Sequence, residues 1–179
     1  MFGCCNTLFS PFGRCNNGCG GCAPTPPPAP VPTPFPPVTP QLTPQLRGMQ
    51  LSLVGSSAGS VANGACVTFD ALNSNTTLGV SYTPGSGQIA VGRTGTYLVN
   101  WWVAIENAQG AESVAFALSL NGSDLATSYS DTGGGQIYGT AIVNVTSIPA
   151  TLTLVNRSGS AVTLATAAGQ SSLSLTQLA

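Results

Sequence analysis

From Met49 onward, apolar and polar side chains alternate with a period of two in several short runs. Leu51 and Leu53 alternate with Gln50 and Ser52, and Val67 and Phe69 with Thr68 and Asp70. Val114, Phe116, Leu118 and Leu120 alternate with Ala115, Ala117 and Ser119; Leu152 and Leu154 with Thr151 and Thr153; Leu173 and Leu175 with Ser172, Ser174 and Thr176. Successive side chains of a strand point to opposite faces, so each run predicts a strand with one buried face. Turn-forming stretches (SAGSVANG, TPGSG, NAQG, NGSD, DTGGG, NRSGS) separate the runs, and no stretch carries helical periodicity with caps. About eight to ten short strands in this space predict an all-β, antiparallel jelly-roll β-sandwich.

Two runs depart from clean alternation. GTYLVNWWVAIE (95–106) and QIYGTAIVNV (136–145) carry apolar groups on both faces, which is the pattern of a sheet whose second face is also covered. A second copy of the same domain is the simplest cover, so Tyr97, Trp101, Trp102 and Tyr138 are candidate subunit-interface residues. Trp101 and Trp102 must point to opposite faces of one strand, one filling the core and the other facing a subunit contact or a ligand patch.

Ahead of this domain, at 48–179, the composition changes twice. Residues 24–47 hold most of the prolines, in PTPPPAPVPTPFPPVTPQLTPQL, and predict a polyproline II stalk. At about 3.1 Å per residue such a stalk spans roughly 70 Å. Residues 1–23 form a Cys- and Gly-rich segment with five of the six cysteines: Cys4, Cys5, Cys15, Cys19 and Cys22. The odd number leaves one thiol unpaired within the segment, which favours cross-linking between chains or anchoring to a partner over a closed local knot. A tetrathiolate zinc site is the alternative, but the adjacent Cys4–Cys5 pair and uneven spacing do not make the usual two knuckles. Cys66 reads as an ordinary small strand residue.

Charge narrows the function. Only 5% of residues are charged, against roughly 25% in ordinary domains. The cations, Arg14, Arg47, Arg93 and Arg157, are widely spaced, which argues against nucleic acid and anionic lipid as partners. The most apolar stretch, Thr96 to Ile105, is about half of the ~20 residues that a membrane helix needs. The N-terminus lacks the basic and apolar regions of a signal peptide. With no histidine or lysine, and with Asp70, Glu106, Glu112, Asp124 and Asp131 scattered singly, no catalytic, metal or cofactor site is expected and the protein is not expected to be an enzyme.

The stretches VANGACVTFDALNSN, GVSYTPGSGQIAVGR, TGTYLVNWWVAIENAQGAESVAFALSLNG and ATLTLVNRSGSAVTLATAAGQSSLSLTQL occur in the order found in a known family. Over roughly residues 49–179 the chain resembles the C-terminal domain of the collagen-like glycoproteins of the bacterial exosporium, the BclA type. That domain is a trimeric jelly roll of the kind shared by tumour necrosis factor (TNF) and complement. The resemblance implies a homotrimeric head of a structural spore-surface or spore-filament protein; the cysteines would then anchor it to another surface protein. It also implies delivery from the mother cell without a signal peptide. Unlike the family, this chain has no Gly-X-Y collagen repeat, so its trimer would rest on the head. The alternative is a trimeric adhesion module that binds a glycan or receptor.

Overall fold

The computed structural model describes residues 45–55, 59–108, 113–131, 134–166 and 169–178. These belong to a compact unit spanning Leu42–Ala179. The five N-terminal cysteines and the proline-rich run up to residue 44 lie outside the described residues.

The chain forms two antiparallel sheets with no helix among the described residues. The larger follows the order β2 (Ser60–Val61), β11 (Val162–Leu164), β6 (Gly95–Ala108), β12 (Ser171–Gln177), β1 (Arg47–Leu53) and β3 (Ala71–Asn75), with β9 (Gly135–Val145) on the other side of β6. The smaller runs β4 (Val80–Tyr82), β5 (Ile89–Val91), β10 (Ala150–Asn156), β7 (Val114–Leu120) and β8 (Ser123–Ser130). Most neighbours in space are distant in sequence, as in a jelly roll, and the predicted architecture is the one observed.

Alternation places the core between the sheets. Met49, Leu51, Val99, Val103, Leu173 and Leu175 are buried from the large sheet, and Ile89, Phe116, Leu118, Leu152 and Leu154 from the small one. Each such side chain contributes about 1.5–3 kcal/mol relative to exposure. The register supports this layer, with Leu51 opposite Leu173 and Leu173 opposite Trp101 on one face.

Two local outcomes differ from the simple pattern. Val67 and Phe69 are buried as predicted but lie outside any strand. The segment joins the small sheet at one isolated bridge, Cys66 to Val155, where Asn156 N–H donates to Ala65 O at 3.0 Å and Val67 N–H to Leu154 O at 2.8 Å. Phe69 is held by an edge-to-face contact with Tyr82, centroids 6.2 Å apart, and Tyr82 Oη donates to Phe69 O at 2.8 Å.

In β7, Ala115, Ala117 and Ser119 are buried although they face away from the core. They are small, and lie on ladders between larger residues: Ala117 between Val155 and Thr127, Ser119 between Thr153 and Asp124. The predicted NGSD turn is the β7–β8 hairpin, and its position-specific chemistry is clear. Asn121 has φ 52° and Gly122 φ 84°, as a tight two-residue turn requires. Asn121 Oδ1 accepts Thr151 N–H at 2.8 Å, tying the turn to β10.

Candidate functional site

Because Tyr97, Val99, Trp101, Val103 and Ile105 of β6 point inward, Thr96, Leu98, Asn100 and Trp102 point out. Register brings Asn144, Ile142, Thr140 and Tyr138 of β9 beside them, rung by rung. On the other flank stand Thr176, Ser174 and Ser172 of β12, then Gly48, Gln50 and Ser52 of β1. The result is one continuous outer face on the large sheet.

Hydrogen bonds fix its polar members. Thr96 Oγ1 donates to Asn144 Oδ1 at 2.9 Å, and Thr140 Oγ1 to Asn100 Oδ1 at 2.8 Å. Ser172 Oγ donates to Leu51 O at 2.9 Å, and Tyr138 Oη donates to Gln136 Oε1. Tyr138 and Ile142 remain 64% and 67% exposed, large apolar groups left in water. An open groove of about 660 Å³ crosses this face, walled by Trp102, Tyr138, Asn100, Thr140, Gln50 and Ser174 among others. No charged residue lines it.

Of the four predicted contact residues, Trp101, Trp102 and Tyr138 line this groove, Trp101 from the core side. Trp102 and Tyr138 share a rung of the β6–β9 ladder and both face outward. Tyr97 is fully buried, and its Oη donates to Arg93 O at 2.8 Å. Burial pushes its phenol up, with the Arg93 charge opposing. Trp101 is 3% exposed, with its ring against Gly139 and its Nε1 unpaired. Tyr97 and Trp101 are thus core side chains by parity. The residues that sequence reasoning missed are Leu98 and Ile142, paired across the same ladder. Their signal was available: Leu98 stands four residues from Trp102 and Ile142 four from Tyr138, so each shares its face.

The acids within the described residues serve local structure or stand apart. Asp70 accepts the N–H groups of Val54 and Gly55 at 3.0 and 3.3 Å. Asp124 receives both Nε and a terminal nitrogen of Arg157 at 2.8 and 2.9 Å, and Ser119 Oγ at 2.7 Å. These donors hold its carboxyl below the usual carboxylate range, the Arg157 hydrogen bonds first. Cys66 is partly buried and free.

No protein-family model and no curated protein matches this chain. Its fold matches solved structures at low identity. Murine APRIL at pH 8.0 is 14% identical with a TM-score of 0.60, covering 75% of this chain and 100% of its own. The globular domain of zebrafish complement 1qA is 9% identical with a TM-score of 0.52, over 74% and 95% of the two chains. Eiger TNF from S. frugiperda is 15% identical with a TM-score of 0.52, over 75% and 93%. The fold is therefore the TNF/C1q-type jelly roll.

Proposed function

We propose that the protein is a non-enzymatic structural component of the bacterial spore surface or of a spore-borne filament. Its jelly-roll heads associate as a homotrimer through the outer face of the large sheet. The Cys-rich segment anchors the trimer covalently. The observation that carries the trimer is the charge-free groove of the outer face with Tyr138 and Ile142 exposed beside it. Large apolar groups clustered beside a groove are the mark of a contact surface. The fold, shared with TNF- and complement-type domains, supports the same reading, and the exosporium resemblance of the sequence supports the location.

Light scattering on the full chain under reducing conditions tests the assembly. The expected mass is three times the 17.9 kDa of one chain, and a stable monomer at micromolar concentration overturns it. Location is tested by recovery of the protein with mature spores. Serine in place of Cys4, Cys5, Cys15, Cys19 and Cys22 is expected to release it from them, as reductant does. Release by a chelator alone would replace cross-linking with a metal site.

One observation favours adhesion as a second reading. Trp102 and Tyr138 set beside Asn100, Thr140 and Gln50 offer aromatic faces and neutral hydrogen-bonding groups, which together suit a sugar ring. A glycan array with the purified protein discriminates, since trimer contacts that fill the groove leave no ligand response through Trp102.

A further inference from the structure

A separate pocket opens at the end of the sandwich where the chain enters β1. It measures about 210 Å³ and is lined by Gln45, Arg47, Leu78, Arg93, Gln177 and Leu178. Arg47, Gln177 and Tyr97 occupy one rung of the β1–β12–β6 ladders. Tyr97 points into the core, so Arg47 and Gln177 stand on the core-facing side of their strands, at the mouth between the sheets. The pocket therefore lies apart from the outer face proposed to carry the subunit contact.

Its electrostatics are unusual for this chain. Of the three cations among the described residues, Arg157 is held bidentately by Asp124. Arg47 and Arg93 have no carboxylate within ion-pair distance among the described residues, and both line this pocket, whose described lining contains no acid. Gln177 leaves its Oε1 buried without a hydrogen-bond partner in the same mouth. That oxygen is an acceptor and calls for a donor, which a hydroxyl-bearing or partly protonated ligand supplies, while the two guanidinium groups attract an anion. Two guanidinium groups lining one pocket beside neutral amides and two leucines match a compact oxyanion with a small apolar body.

We propose that Arg47 and Arg93 form a binding site for a small phosphate- or carboxylate-bearing ligand at the stalk end of the head. The guanidinium groups supply forked donors to the anion, Gln45 and Gln177 supply amide groups, and Leu78 and Leu178 flank its carbon skeleton. The full chain, kept reduced, is titrated by calorimetry with inorganic phosphate and separately with citrate, at ionic strength held constant with sodium chloride. Saturable binding of at least one probe is expected, and the stronger probe distinguishes a phosphoryl from a carboxylate preference. Arg47→Gln and Arg93→Gln should each weaken it by about tenfold or more, the loss of a charge-assisted hydrogen bond. Arg93→Lys should restore only part, because it keeps the charge and loses the fork. Thermal melts of each variant check that the head is folded. Absence of saturable binding for both probes, or undiminished binding by the folded Gln variants, overturns the proposal.

Discussion

Replacing Ile142 by Asp tests whether the outer face of the large sheet is the subunit contact. Ile142 is 67% exposed in the single chain, so the change should cost the fold only about 1 kcal/mol, mostly in strand propensity. In the proposed trimer the same position is covered. Burying two-thirds of an isoleucine contributes about 1–2 kcal/mol per chain, and Asp forfeits that. Burying an unpaired carboxylate adds several kcal/mol more. A loss of about 4 kcal/mol per chain weakens association by a factor on the order of 10³ for each subunit. Light scattering across a micromolar concentration series should show a folded monomer where the parent is a trimer. Because burial raises a carboxyl pKa, lowering the pH through and below the usual carboxylate range should restore part of the trimer. Tyr129→Asp supplies the control: Tyr129 is 71% exposed, but on β8 of the other sheet. If Ile142→Asp remains trimeric at neutral pH, or Tyr129→Asp dissociates equally, the contact does not lie on this face.

Three further outcomes are expected, each at fixed chain concentration because assembly is linked to stability. Gly139→Ala should destabilise the head by about 3 kcal/mol in denaturant titration, since its Cβ would fall inside the Trp101 ring and against Ser128 Oγ. Asn156→Ala should cost about 3 kcal/mol by the same assay: Nδ2 of this buried residue donates to Val61 O and Ser160 O at 2.7 and 2.9 Å, and its Oδ1 accepts Ser158 N–H at 2.9 Å. The folded pKa of Asp124 is lowered, so its contribution is present above the unfolded carboxylate pKa and is lost as pH falls through the lower folded value. Asp124→Asn should flatten that acid limb of a melting-temperature profile, by a small amount that salt reduces further because the pair is solvent-exposed.

Alternation alone located the inward residues of β1, β10 and β12, because a period of two is set by strand geometry within one segment. The order of those strands was not legible at that level. β12 lies between β1 and β6 by ladders that join residues far apart in sequence, and nothing local specifies such a pairing. The aromatic residues show the same division. Residue type marks Tyr97, Trp101, Trp102 and Tyr138 as buried or contacting, whereas facing is a matter of parity. Positions 97 and 101 share a parity, so fixing Trp101 in the core fixes Tyr97 there too. Gly139 reads as a weak point in a strand, and its reason emerges only from the rung it shares with Trp101, whose ring occupies the space of a side chain. Only the cross-strand partner makes a small residue necessary there.

The sheet edges show why the outer face should be covered, and they carry a last prediction. Exposed strand edges pair with other chains unless they are short, charged, kinked or capped. At the margins, β2 and β4 have two and three residues, and β3 has five. β8 has eight but carries Asp124, bound to Arg157. β9 has eleven residues, GQIYGTAIVNV, with no proline and no charge, and its ladder partner among the described residues is β6 alone. It is a long margin without charge or proline, packed beside β8 of the other sheet, and it borders the face that exposes Tyr138 and Ile142. A contact made there joins neutral groups, so Coulombic attraction contributes little and screening by salt removes little. Apolar burial dominates instead, and excluded salts such as sulfate strengthen it. The trimer mass should therefore hold from low to molar sodium chloride and resist dilution better in sulfate. Dissociation by sodium chloride alone would mean that ion pairs hold the subunits, and would move the contact to the charged ends of the sandwich.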